Sequence, residues 1–188
     1  MKGQGAIRAG QGDAMALARN RVAFRTRLAA VLVAALLAGC SATAGKLATP
    51  YDPSQSAYAR AQGTGVISGQ AFLQKPSGAL VYAAGRYVLL LPASAYSLER
   101  LTKIYGDRKF RSVYLPVKDP EVDPLFVQDV RTTKASSSGR FEFTGLAPGK
   151  YVAETSLNYE WHDGLYGGRF YEFVEVGDGE TVELVLTD

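Results

Sequence analysis

From Val66 to Asp188 the chain is written in short β-rich runs, each broken within a few residues by Gly, Pro, Ser or Asn. That texture leaves little room for long helices and favours a small antiparallel sandwich. In Val66–Gln74, Ile67, Gly69, Ala71 and Leu73 fall on one face at period two, with Ser68 and Gln70 opposite. Lys75–Gly78 reads as a turn. The apolar run Tyr87–Leu91 suits a central strand covered on both faces. Ser94–Tyr105 breaks the pattern: Leu98, Leu101 and Tyr105 recur at helical spacing and Gly106 follows as a C′ residue, so one short helix is predicted. Residues 107–125, with Pro116, Pro120 and Pro124, read as a long excursion with one strand around Phe110–Val117. Strands are then predicted at Phe126–Lys134, Arg140–Thr144 and Tyr151–Asn158, with a type II turn between the last two that gives Gly149 a positive φ. After a glycine-rich loop, Arg169–Val176 and Thr181–Thr187 are predicted to pair as a hairpin across Gly177-Asp178-Gly179. Val182, Leu184 and Leu186 of the last run face inward and Thr181 and Glu183 outward. The expected fold is mainly β, an antiparallel seven-stranded sandwich over residues 66–188 with one short helix. About 120 residues suffice for a core without disulfides.

Ser138–Thr155 (SGRFEFTGLAPGKYVAET) resembles the carboxypeptidase regulatory-like, or transthyretin-like (prealbumin-like), sandwich: a turn glycine, aromatic-x-aromatic, Gly-Leu-x-Pro-Gly and a Tyr-led strand. Val66–Gln74 and Ala83–Ser94 are similar to that family's first two strands. The resemblance implies Greek-key connections and says almost nothing about function, because such domains are accessory modules of diverse proteins.

Ahead of this domain the charge is unevenly placed. Residues 1–39 carry six basic side chains against Asp13, a net +5, while the remainder carries 15 Lys/Arg against 17 Asp/Glu, a net −2. The basic balance of the whole chain belongs to its first segment, which removes the main support for nucleic acid as a partner. Basic residues ending at Arg27 precede the apolar run Leu28–Ala38. Eleven residues rise about 16 Å as a helix against a hydrocarbon core of about 30 Å, too short to span and suited to a secretory signal. Leu37-Ala38-Gly39-Cys40 resembles the lipobox of bacterial lipoproteins. That resemblance implies cleavage between Gly39 and Cys40, diacylglycerol on the Cys40 sulfur and an acyl chain on its new amine. No other cofactor is expected. Ser41 fits sorting to the outer membrane, facing the periplasm, where aspartate would favour the inner membrane. Met1 and Met15 both stand as starts. The expected organisation is a signal peptide over 1–39, a lipidated flexible tether over 40–65 rich in small and polar residues, and the sandwich over 66–188.

Catalytic chemistry is thin. The chain has one histidine and one cysteine, His162 and Cys40, so no His-x-x-Glu zinc motif, Cys cluster or Ser/His/Asp set with a nucleophile elbow can be assembled from motifs. Gly63–Gly69 misses both dinucleotide and phosphate-loop spacings. The first strand carries no lysine and the last no asparagine, which disfavours an internal isopeptide link. Pairs such as Glu172/Glu175 read as a solvated strand face. The densest recognition chemistry is Tyr159–Arg169, where Trp161 and His162 join Tyr159, Tyr166, Asp163 and Arg169. Aromatic faces stack on sugar rings or prolines, and acids and arginine orient hydroxyls or a carboxylate. The competing use is structural: Trp161 buried as an apolar plug at the sandwich rim, with His162 solvated. The sequence favours the plug. The expected function is a non-catalytic, lipid-anchored envelope binding or scaffold module engaging a protein or polysaccharide, with a carbohydrate-binding surface that uses the Trp161 loop as the alternative and an envelope hydrolase as a remote one.

Overall fold

A computed structural model describes residues 45–188; Gly39, Cys40, both candidate starts and the signal segment lie outside the described residues. Nine strands and three helices follow in the order α1 (Pro53–Arg60), β1 (Gln62–Gln74), β2 (Leu80–Tyr82), β3 (Tyr87–Pro92), α2 (Ala95–Tyr105), β4 (Phe110–Ser112), α3 (Pro124–Val127), β5 (Arg131–Lys134), β6 (Arg140–Leu146), β7 (Gly149–Trp161), β8 (Gly164–Val176) and β9 (Thr181–Leu186). One sheet holds β1 at its centre, antiparallel to β6 and β2 and parallel to β9. The other runs β4-β8-β7-β3-β5, antiparallel throughout.

The main core lies between the sheets. Ile67, Ala71, Leu73, Phe141, Phe143, Leu184 and Leu186 of one sheet meet Val88, Leu90, Tyr151, Ala153, Leu157, Phe170 and Val174 of the other. The period-two readings of β1 and β9 therefore hold. So does the reading of β3: Val88 and Leu90 enter this core, while Leu89 and Leu91 enter a second one on the outer face of the five-stranded sheet. That second core packs Tyr96, Leu101, Ile104 and Tyr105 of α2 with Phe126 and Val152. Ser94 caps α2 reciprocally with Ser97.

Several expectations need correction. Among the described residues the strands number nine, three helices replace one, and the β1–β9 pair is parallel rather than antiparallel. β8 and β9 form no hairpin: the Gly177-Asp178-Gly179 turn carries the chain from one sheet to the other, so Val176 and Leu184 reach the same core from opposite sides. Residues 126–134 are not one strand, because Asp123 caps and Pro124 opens a helical turn before β5. Of the three positions predicted for the buried side of α2, Leu101 and Tyr105 are inside, together with Tyr96, Arg100 and Ile104, while Leu98 is 40% exposed.

Residues 47–65 of the predicted tether are folded onto the sandwich. Asp52 caps α1 with Pro53 following, and Leu47 and Tyr51 pack into the second core. Tyr51 donates to the buried carboxylate of Asp129, which Arg60 also binds at 2.8 Å. Glu99 accepts the backbone N–H groups of Ala48 and Thr49, which hold its carboxyl at about 2. Leu47, Tyr51 and two carboxylates thus fix a stretch whose composition is that of a linker.

Gly149 is the first residue of β7 and does not lie at positive φ; Gly145, at φ +65°, does. Glycine is required at 149 for a different reason. A Cβ there would stand 2.5 Å from the ring of Tyr58, which packs edge-on against Tyr151 at 5.2 Å. Gly149→Val is therefore expected to cost about 1–3 kcal/mol through overpacking. Thermal or urea unfolding of a double-mutant cycle checks the cause. Tyr58→Ala should remove most of the Gly149→Val penalty, whereas additive losses would place the strain elsewhere.

Candidate functional site

β7 and β8 pair without a break from Gly149↔Val176 to Trp161↔Gly164, each strand 13 residues long. β3 follows β7 only to Thr155, and β4 follows β8 only to Gly168. Beyond those points the pair continues as a two-stranded ribbon. The region predicted as a glycine-rich loop is this ribbon. Gly167 takes a positive φ of +104°, and Gly168 serves close approach, since a Cβ there would collide with the Arg111 carbonyl of β4.

The ribbon turns at His162-Asp163. His162 has φ +51°, the one positive φ outside glycine among the described residues, a conformation that stores strain in a non-glycine residue. Both turn side chains are exposed. Alternation places Tyr159 and Trp161 of β7 and Tyr166 of β8 on one face. Tyr159 and Tyr166 are directly opposed and stack at 6.1 Å, and Trp161 meets the Tyr166 ring edge-on at 5.3 Å and His162 at 4.5 Å. Tyr114, 61% exposed, adds a fourth ring at 6.2 Å from Tyr166. Lys75 reaches from the β1–β2 turn to place its ammonium 5.4 Å from the Tyr159 ring. Desolvation raises the Tyr159 hydroxyl pKa, and the negative charge of Asp188 adds to the shift.

Trp161 is half-buried and belongs to neither core, so it is not the rim plug the sequence predicts. Its neighbours are the rings of the ribbon itself. What the tip presents is an aromatic surface with a cation at one margin and the exposed Asp163 at the turn, the combination that stacks on a sugar ring and hydrogen-bonds its hydroxyls.

Arg169 does not join this surface. It lies three positions from Tyr166, hence on the opposite face. There its guanidinium donates to Glu154 at 2.7 Å. Glu154, 1% exposed, also accepts from Arg100 at 2.7 Å and from the Tyr105 hydroxyl at 2.8 Å. Asp119 bridges both arginines from outside, contacting Arg169 directly and Arg100 at 3.7 Å. Burial, with the Glu154 charge second, pushes the Tyr105 hydroxyl far above its ordinary range. Burial opposes the Arg169 charge, but its hydrogen bond to Asp119 and the Glu154 carboxylate outweigh that and raise its pKa.

The sequence reading missed this cluster, although one signal was present: Glu154 interrupts the otherwise largely apolar run Tyr151–Leu157. Among the described residues no group of His, Cys, Asp and Glu could hold a metal ion, and no helix is long and apolar enough to cross a membrane.

No family model matches the chain, and no curated protein matches it. A solved structure from Pseudomonas aeruginosa, of a protein proposed to bind carbohydrate, is similar at 25% identity and a TM-score of 0.66, covering 74% of this chain and 99% of that one. A minor pilin of Streptococcus agalactiae gives a TM-score of 0.38 at 19% identity, over 68% of this chain and 44% of that one. The first likeness supports a β-sandwich.

Glu154→Ala is expected to destabilise the fold by about 3–5 kcal/mol, because it removes the buried carboxylate that pairs the buried Arg100 and the partly buried Arg169. Urea unfolding measures it. A loss below about 1 kcal/mol would mean that water already solvates the cluster.

Proposed function

We propose that this chain is a non-catalytic carbohydrate-binding module of the bacterial cell envelope. In this reading the lipobox-like segment ending at Cys40 supplies a diacylglycerol and N-acyl anchor, and the sandwich is of the carboxypeptidase regulatory-like type. The outer membrane, on its periplasmic side, is the favoured address, and a polysaccharide is the partner. The observation that carries the reading is the ring cluster of Tyr159, Trp161, Tyr166 and Tyr114 on a ribbon that outruns its flanking strands. A solved structure similar over nearly its whole length, and itself proposed to bind carbohydrate, adds support. These move polysaccharide binding ahead of the scaffold role that the sequence placed first.

Mechanistically the site needs no bond chemistry. Half-buried aromatic rings lose little freedom on binding, so stacking a sugar face on them removes apolar area from water at small entropic cost. Hydroxyls at the sugar's rim find Asp163, His162 and Lys75, which fix orientation rather than supply most of the energy.

Glycan-array screening followed by calorimetry tests this. Trp161→Ala is expected to weaken the best neutral glycan at least tenfold, about 1.4 kcal/mol. Since the ring sits outside both cores, unfolding stability should change by no more than about 1 kcal/mol. Unchanged affinity would exclude the ribbon tip as the site. Membrane attachment has its own test. Cys40→Ala should abolish lipid labelling and release the protein from membranes, and a labelled, membrane-bound variant would contradict the anchor.

A further inference from the structure

The Arg100–Arg169 pair has the structure of a carboxylate receptor. Its floor is Glu154, buried, whose two oxygens take one amino group of each arginine at 2.7 Å and so fix both guanidinium planes. Each arginine then turns its second amino group outward. Arg169 Nη1 meets Oδ1 of Asp119, and Arg100 Nη2 faces Oδ2 at 3.7 Å. The outer carboxylate is held quite differently from the inner one. Its side chain is 49% exposed, against 2% for Glu154. It sits in residues 116–122, between Pro116 and Pro120, where no backbone–backbone hydrogen bond is formed among the described residues. Val117, the buried Pro120 and Val122 pack the loop on the sandwich, and Asp119 adds its carboxylate to the arginines.

The charge balance gives the outer position its meaning. Two guanidiniums face two carboxylates, so removal of Asp119 leaves one uncompensated positive charge on a preorganised, planar pair of donors. Such a pair favours another planar carboxylate with an oxygen for each arginine. Lys109 and Arg111 on and beside β4 keep the neighbourhood basic, the former paired to Glu172 and the latter bound to the Leu115 carbonyl. Arg169 stands three residues along β8 from Tyr166, about 10 Å, and on the other face of the ribbon.

We propose that Asp119 is an intramolecular stand-in for the carboxylate of an acidic sugar, and that Arg100 and Arg169 bind a uronate unit when Asp119 swings away. The proposal rests on the carbohydrate reading and narrows its ligand class to acidic polysaccharide. A tethered carboxylate competes at an effective concentration on the order of millimolar, so the wild-type chain binds uronates more weakly than its arginine pair allows.

The test is calorimetry of the full chain and its Asp119→Asn variant with oligogalacturonate, a neutral oligosaccharide selected on the glycan array, and pentaglutamate. Removing the internal competitor should tighten oligogalacturonate binding at least tenfold, leave the neutral sugar within twofold, and leave pentaglutamate weak. Arg169→Lys in the same background should cancel the gain, since an ammonium lacks the fork. If Asp119→Asn does not fold, Asp119→Ser carries the same comparison. Oligogalacturonate binding that is absent or unchanged in a folded variant, with the neutral sugar still bound, overturns the stand-in and spares the carbohydrate reading. Equal gains for pentaglutamate and oligogalacturonate overturn the assignment to sugars. Failure of every glycan overturns both.

Discussion

Glu154 is the interaction on which the outer half of the molecule depends. A carboxylate in the middle of a buried strand is costly to desolvate unless its lone pairs are met by charged donors. Here both oxygens are met, by Arg100 from α2, Arg169 from β8 and Tyr105 from the end of α2. One side chain thereby fixes the helix against the sheet and ties β7 to β8 across their register. The Tyr105 ring packs on Tyr171 at 4.7 Å, and Asp119 attaches the proline-rich excursion to the same arginines. Tyr96, Leu101, Ile104 and Tyr105 give α2 an apolar side that turns it toward the sheet. The charge cluster holds Arg100 on that same side, and Leu98 is 40% exposed.

The same hairpin supplies the other end of the account. β7 and β8 are held by β3 and β4 over their lower parts, and this rigid base presents the ribbon beyond. Strain sits at the turn, in His162, and aromatic area gathers behind it. Sites on strands are positioned more sharply than sites on free loops, because the pleat dictates which side chains share a face. Tyr159, Trp161 and Tyr166 share one, and Arg169 is sent to the other. Residues that look like a single cluster in sequence are thus two clusters back to back.

Much of the fold was legible because period-two burial writes itself into β1, β3 and β9. The boundaries between sheets were not. Gly177-Asp178-Gly179 has the composition of a hairpin turn, and only the shared core of Val176 and Leu184 shows that it crosses from sheet to sheet. Likewise Leu47–Arg60 has a linker's composition, and its order comes from Tyr51, Tyr58 and distant carboxylates that local patterning does not reveal. The aromatic tip was visible as a density of rings, but its burial was misjudged, since a ribbon beyond the body offers Trp161 only its own neighbours to pack against. The arginine pair was missed because charges on strands are usually solvated, and Glu154 is buried only once three elements have met.

The central claim is that sugar stacks on the ribbon tip, and Trp161 reports on it directly because the chain has no other tryptophan. Titrating the full chain with its best glycan while following tryptophan emission is the measurement. Stacking should shift the emission to shorter wavelength, protect the indole from acrylamide quenching, and saturate with the affinity found by calorimetry. Calorimetric binding with an emission spectrum and quenching constant that do not move would place the sugar elsewhere on the molecule and contradict the account.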